Sequence, residues 1–114
     1  MSSCLFCDIA AGAIPCDRIH ADDHLVAFRD IAPQAPTHIL IIPRRHIASM
    51  AHFDGTEQDL AGAMLVLAAQ IAAAEGLAED GYRCVINCGD NGGQTVGHLH
   101  LHLLGGRSLS WPPG

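Results

Sequence analysis

His98-Leu99-His100-Leu101-His102-Leu103-Leu104 is the most regular alternation of residue types in this 114-residue chain. Successive side chains of a β-strand point to opposite faces, so a strand here places the histidines on one face and leucines on the other. A helix would scatter both sets. We therefore predict a strand over residues 98–104 whose leucine face meets the core and whose histidine face lines a groove.

Three interpretations of the histidine face are open. It could be a solvated strand face, although such faces usually carry Thr, Lys, Glu or Arg. The three imidazoles could hold one metal ion, as in zinc hydrolases. Alternatively, one imidazole attacks phosphorus while its neighbours position the phosphate. The preceding loop favours the last, because residues 89–97 contain four glycines, and the backbone N–H groups of such loops can converge on an anion.

The rest of the chain predicts an α+β domain. Apolar spacing indicates a short helix over residues 3–11 and a long helix that begins with Thr56 as its cap and closes at Gly76. Further strands are predicted at residues 17–21, 25–28, 38–42 and 82–87. Because these strands come in runs rather than alternating with helices, an antiparallel sheet is favoured.

Composition and charge narrow the class of function. The chain is 49% hydrophobic, enough for one domain over residues 1–114, with a core over about residues 4–107 and a tail over 108–114. No apolar run approaches the roughly 20 residues that span a bilayer, and no secretory signal is evident, so we expect a cytoplasmic protein that binds no membrane. A net charge of −6 with no lysine argues against a nucleic-acid partner.

Cys4 and Cys7 have the spacing of half a tetrahedral zinc site. They could also be free buried thiols or a redox pair, although a redox pair would be expected in a thioredoxin-like context. We expect Cys84 and Cys88 to be core or surface thiols, and Cys16 has no evident role.

The chain resembles the histidine triad (HIT) family, and within it the Hint branch of histidine triad nucleotide-binding proteins. Residues 98–104 match the family pattern His-x-His-x-His-x-x, and the resemblance covers nearly the whole chain. The other matching stretches are Asp30-Ile31-Ala32-Pro33-Gln34-Ala35-Pro36-Thr37-His38, Asn87, Gly92-Gly93-Gln94, Gly105-Gly106-Arg107 and Trp111-Pro112-Pro113-Gly114.

The resemblance implies the HIT fold, a five-stranded antiparallel sheet with one long and one short helix that dimerises into a continuous sheet. It implies hydrolysis of purine nucleoside 5′-monophosphoramidates, derivatives of AMP or GMP, through a covalent nucleotidyl-histidine intermediate. No cofactor would be required for catalysis. A dinucleoside polyphosphate hydrolase, a non-catalytic nucleotide-binding scaffold and a metal-dependent hydrolase are the alternatives.

Site roles also follow from the resemblance. His100 would be the nucleophile, oriented by the carbonyl of His98; His102 would contact the phosphate and assist the leaving amine, with His38 behind it in a relay. Asp30 would accept the ribose hydroxyls. The phosphate or ribose would also be held by Asn87 and the backbone of Gly93, Gln94, Thr95 and Val96, and the base would be enclosed by Phe6, Ile9, Phe28, Ile31 and Leu40.

Relatives with the cysteine pair suggest a structural zinc held by Cys4, Cys7, His46 and His98. The resemblance further implies that the tail with Trp111 reaches towards the partner's site. Gly97 stands where the branch often has a larger residue, which bears on the preferred leaving group.

Overall fold

A five-stranded antiparallel sheet carries the fold in the computed structural model, which describes residues 3–114. The strand order is β1-β2-β3-β5-β4. The elements are α1 (Leu5–Ala10), β1 (Arg18–Ala21), β2 (Leu25–Arg29), β3 (Thr37–Pro43), α2 (Gln58–Ala74), β4 (Tyr82–Val85) and β5 (Leu101–Gly105). This order confirms the predicted α+β class; a 3-10 turn at Met50–His52 was not predicted.

Strand β3 is buried on both faces. Ile39 and Ile41 belong to the cluster under α2, while Leu40 and Ile42 belong to the cluster under α1. A strand covered on both sides needs apolar residues throughout, which explains its unbroken run of aliphatic side chains. The predicted leucine face is confirmed, because the α2-side cluster includes Leu99, Leu101 and Leu103, all essentially inaccessible.

The histidine stretch begins its ladder later than predicted, at Leu101 rather than His98. The register of β3 with β5 pairs Ile41 with Leu101, and continuing it would set Pro43 opposite Leu99. Proline has no N–H to give to a ladder. The Leu99 N–H instead donates to the Ile47 carbonyl at 2.7 Å.

The start of α2 also differs from the prediction that Thr56 caps it. The helix begins at Gln58, and Glu57 holds the cap position. The Thr56 hydroxyl donates to the Asp54 carboxylate at 2.8 Å, while the buried Glu57 carboxylate accepts the N–H groups of Asp54 and Gly55. A carboxylate that accepts two backbone donors replaces the hydroxyl as the organiser of this turn.

The remaining boundaries shift by a few residues. Helix α1 is shorter than predicted and begins after Cys4, whose Sγ accepts the Cys7 N–H at 3.3 Å. Strand β4 ends at Val85, before the predicted Asn87. Within residues 3–114, no helix combines the length and hydropathy needed to cross a membrane.

Candidate active site

The three histidines of residues 98–102 face the α1 side of the sheet. The Phe6 ring meets the ring of His98 at 5.9 Å and that of His100 at 5.2 Å, edge-on in both cases. The ring of His102 lies 4.9 Å from that of His100. His98 and His100 are buried and His102 is partly buried, so this face is a packed site rather than a solvated one.

Backbone carbonyls fix the protons of two of these rings. His100 Nδ1 lies 2.7 Å from the His98 carbonyl, and His98 Nε2 lies 2.8 Å from the Pro43 carbonyl. Because a carbonyl oxygen only accepts, each of these nitrogens carries the proton. In the neutral form of each ring, the lone pair therefore lies on His100 Nε2 and on His98 Nδ1.

His100 Nε2 reaches the protein surface. Within residues 3–114, no buried side-chain nitrogen or oxygen lacks a hydrogen-bond partner, and the only hydrogen bond of the His100 ring is the one from Nδ1. Its Nε2 must therefore be accessible, although the residue as a whole is only 4% exposed. The accessible atom is the one that carries the lone pair.

A second chain of hydrogen bonds sets the tautomers of His38 and His102. The Gln34 N–H donates to His38 Nδ1 at 3.0 Å, so the His38 proton sits on Nε2. That N–H donates to His102 Nδ1 at 2.9 Å. His102 therefore carries its own proton on Nε2 and offers an N–H where His100 offers a lone pair.

Burial keeps these imidazoles neutral. It lowers the pKa of His102 to about 4, with the neighbouring His100 and His38 adding to the effect and Asp30 opposing it. Burial likewise lowers the pKa of His38, against the attraction of the Asp30 carboxylate, whose Oδ2 lies 3.6 Å from His38 Nε2. A neutral His102 ring can donate a hydrogen bond from its Nε2–H near pH 7.

A cavity of about 310 Å³ opens beside the histidines. Phe6, which touches His100, lines it, and so does Leu40, the register partner of His102. The structure brings eight of the predicted nucleotide-contact residues to this cavity, namely Phe6, Ile9, Phe28, Asp30, Ile31, Leu40, Thr95 and Val96. Its walls are apolar apart from a few groups such as Asp30, as ligand pockets usually are.

Three predicted contacts do not line this first cavity: Asn87, Gly93 and Gln94. Gln94 lines a second cavity of about 360 Å³ instead. Its amide braces that cavity, since Nε2 donates to the carbonyls of Ala48 and Val96 and Oε1 accepts the Gly89 N–H. Thr95 and Val96 line both cavities, so the two cavities lie next to each other.

Sequence reasoning missed five residues of the first cavity: Leu5, Ile14, Pro15, Cys16 and Arg29. Cys16, which had no evident role, is among them. No spacing in the sequence marks these five positions. Residues 14–16, for example, lie in the segment that follows α1, and only the packing of that segment brings them to the cavity.

A separate cluster gathers Cys4, Cys7, His46 and His98, whose ligand atoms all lie within 4.8 Å of one another. His98 Nδ1, the atom left with a lone pair, lies 3.3 Å from Cys4 Sγ, 3.5 Å from Cys7 Sγ and 3.2 Å from His46 Nδ1. Zinc bonds of ~2.0 Å to nitrogen and ~2.3 Å to sulfur give tetrahedral edges of roughly 3.3–3.8 Å. The cluster therefore has the donor set and dimensions of a tetrahedral zinc site.

The chain is similar to known proteins in both sequence and structure. Residues 11–109 match the HIT domain family model. Purine nucleoside phosphoramidase from Escherichia coli K12 is 50% identical over 105 residues, covering 92% of this chain and 88% of that protein. A HIT family hydrolase from Legionella pneumophila Philadelphia 1 is 53% identical with a TM-score of 0.97, over 98% of this chain and 100% of that one. A Zn-bound histidine triad family protein from Mycobacterium smegmatis is 34% identical with a TM-score of 0.81, over 92% and 76%.

Proposed function

The chain belongs to the HIT domain family and is a hydrolase of that family, and we propose that it cleaves the P–N bond of purine nucleoside 5′-monophosphoramidates. The phosphoramidase relative supports the substrate class. The observation that carries the mechanism is the accessible lone pair on His100 Nε2, enforced by the bond from Nδ1 to the His98 carbonyl. A nucleophile of this kind needs no base to activate it.

The nucleoside would occupy the first cavity. Its base would lie among the apolar walls, and Ile31, which is 98% exposed, gives apolar surface that a base could cover. The Asp30 carboxylate, with oxygens that only accept, suits the ribose hydroxyls. The phosphate would then lie beside Thr95 and Val96, within reach of the histidines.

His100 Nε2 would attack phosphorus as the P–N bond of the substrate breaks. The Nε2–H of His102 would donate to a phosphoryl oxygen or to the departing nitrogen. Water then cleaves the nucleotidyl-histidine. Over the whole reaction, the hydroxyl of one water ends on phosphorus and its proton on the amine, while His100 is regenerated. His38 would hold the His102 ring in place through the hydrogen bond from His38 Nε2 to His102 Nδ1.

The amine would extend into the second cavity. This cavity shares Thr95 and Val96 with the first, so a substrate that passes over these two residues spans both. Gly97 lines it, and a Cβ built on Gly97 meets nothing within 4 Å. The missing side chain therefore adds room for the leaving group.

Mass spectrometry of protein quenched during turnover tests the mechanism. We expect one nucleoside monophosphate adduct, on His100, with an acid-labile P–N bond. His100→Ala should abolish it, whereas His24→Ala, at an exposed hairpin position, should leave it in place. An adduct on another residue, or none under single-turnover trapping, refutes the mechanism. Comparing an adenosine phosphoramidate with a diadenosine polyphosphate distinguishes the two hydrolase activities.

Zinc bound by Cys4, Cys7, His46 and His98 would be structural, because four protein ligands leave no position for substrate. The donor cluster and the Zn-bound relative support this. Zinc would tie α1 to the start of the histidine stretch, and the Pro43 carbonyl would orient the His98 ring. Elemental analysis should find one zinc per chain; Cys7→Ser should lower this content, and Cys84→Ser, on β4, should not. Equal zinc in both variants would contradict this assignment.

A homodimer joined through β4 is also proposed. Within residues 3–114 this edge strand pairs with β5 alone, and Leu65 and Val66 of α2 are more than half exposed. Arg83 on β4 donates to the Ser110 carbonyl at 2.9 Å and stacks on the exposed Trp111, so the tail lies beside this edge. Light scattering should give twice the monomer mass, and Val66→Glu should lower it; a monomer at all concentrations would refute the dimer.

A further inference from the structure

Arg107 joins the segment after β5 to the loop that precedes β3. Its Nη2 donates to the Gln34 carbonyl at 2.8 Å, and its Nη1 donates to the Ser108 carbonyl at 3.0 Å. Gly106 lets the two segments approach, because its φ is +92° and a Cβ there would lie 2.8 Å from Pro36 Cβ. Two things therefore hold Arg107 against the loop: the close approach of the Gly106 backbone to Pro36, and the hydrogen bond from the guanidinium to the Gln34 carbonyl.

Gln34 sets the tautomers of His38 and His102. Its carbonyl accepts from Arg107, and its N–H donates to His38 Nδ1 at 3.0 Å. Its side chain also turns back to the Ala32 carbonyl at 3.0 Å. The loop is exposed at this point, so these hydrogen bonds, rather than burial, fix the direction of the Gln34 N–H.

Losing that N–H would permit a reversed chain of hydrogen bonds. A His38 ring protonated on Nδ1 would accept at Nε2, and His102 would then donate from Nδ1 and hold a lone pair on Nε2. A lone pair would face the phosphate oxygens instead of an N–H, which replaces attraction with repulsion. The Asp30 carboxylate, 3.6 Å from His38 Nε2, favours the observed tautomer as well, so two groups act on this choice.

We propose that Arg107 is a positioning residue that, through Gln34 and His38, keeps His102 in the tautomer that donates from Nε2. It touches neither His38 nor His102, and it acts by holding the Gln34 backbone. The consequence for phosphate binding rests on the proposed phosphoramidase activity, whereas the tautomer itself is a property of the free protein.

Nitrogen NMR of the histidine side chains tests this directly. We expect the Nε2–H tautomer of both His38 and His102 in the wild type, and a mixture of tautomers in Arg107→Met. The matched control is Arg44→Met, because Arg44 also donates to two backbone carbonyls, those of Asp22 and Ala10, without a hydrogen bond to the loop that precedes β3. Arg107→Lys should restore much of the wild-type spectrum, since an ammonium group can still donate to a carbonyl.

Kinetics supply the second measurement. Arg107→Met should lower kcat/KM for a phosphoramidate about fivefold or more, and Arg107→Leu serves if the methionine variant is poorly folded. Unchanged tautomers in both Arg107→Met and Arg107→Leu, or an equal effect of Arg44→Met, would overturn the proposal. If the wild type turns over no phosphoramidate, the proposed function fails, and the NMR result still decides the role of Arg107.

Discussion

Replacing Asp30 with Asn should remove most of the discrimination between ribose and 2′-deoxyribose substrates. In the structure Asp30 Oδ1 is already engaged by the Ala32 N–H at 2.8 Å. Oδ2 lies 3.6 Å from His38 Nε2, beyond hydrogen-bond distance, and Asp30 lines the first cavity. One charged oxygen is therefore available to a ribose hydroxyl.

The magnitude follows from the charge on that oxygen. A hydrogen bond to a charged group contributes ~2 kcal/mol and one to a neutral group ~0.5–1 kcal/mol. The wild type should therefore prefer the ribose substrate by roughly 30-fold in kcat/KM, and Asp30→Asn by roughly 2- to 5-fold. The asparagine oxygen can still accept the Ala32 N–H, so the loop should keep its shape.

The assay is kcat/KM for both sugars in both proteins, which forms a double-mutant cycle. Asp59→Asn, an exposed acidic residue in the first turn of α2, controls for the loss of one negative charge and should keep the wild-type ratio. A wild type that does not distinguish the sugars, or an Asp30→Asn protein with an unchanged ratio, refutes the role of Asp30.

Three further predictions concern the core, the pH response and the leaving group. Leu101→Ala, at a fully buried position, should lower the free energy of unfolding by about 2–5 kcal/mol in urea titrations. Because burial lowers the pKa of His102 from 6.5 to about 4, the unfolded chain binds this proton first as the pH falls. His102 should therefore lower the free energy of unfolding by up to about 1.4 kcal/mol for each unit that the pH falls between 6.5 and about 4. In urea titrations, His102→Gln should make the free energy of unfolding depend less on pH in this range. Gly97→Leu should lower kcat/KM more for bulky leaving amines than for ammonia.

Each of these has a contrasting result. Leu104→Ala, at a half-buried position, should cost less than Leu101→Ala, and equal losses would contradict the assigned core. Identical pH dependence in the wild type and His102→Gln would refute the cost assigned to that ring. For Gly97→Leu, equal losses for both amines would mean that the second cavity does not hold the leaving group.

Much of the fold could be predicted from spacing. Alternation over residues 98–104 indicates which side chains share a face. The histidines and leucines keep these separate faces even though β5 begins only at Leu101. The apolar run of β3 and the period of α2 are equally local signals. The prediction of a Thr56 cap was wrong because the Thr56 hydroxyl donates to Asp54 and Glu57 holds the cap position, a local arrangement that the spacing does not reveal.

The candidate site also has a part that could be predicted from the sequence and a part that could not. The residue types of the triad and the cysteine pair point to nucleophilic and zinc chemistry, whereas the set of residues that surrounds a cavity depends on packing. Leu5, Ile14 and Cys16 line the first cavity without any pattern that distinguishes them from ordinary core or loop residues.

The alternation of residues 98–102 is enough to put three imidazoles on one side of the sheet, because successive side chains of a strand alternate faces whatever the strand packs against. Which nitrogen of each imidazole holds the proton depends instead on contacts made in the folded chain. That choice belongs to the Pro43 carbonyl, the His98 carbonyl and the Gln34 N–H, and two of these partners come from other segments of the chain. Tautomers follow from which donors and acceptors meet in space, and a periodic pattern does not encode such meetings.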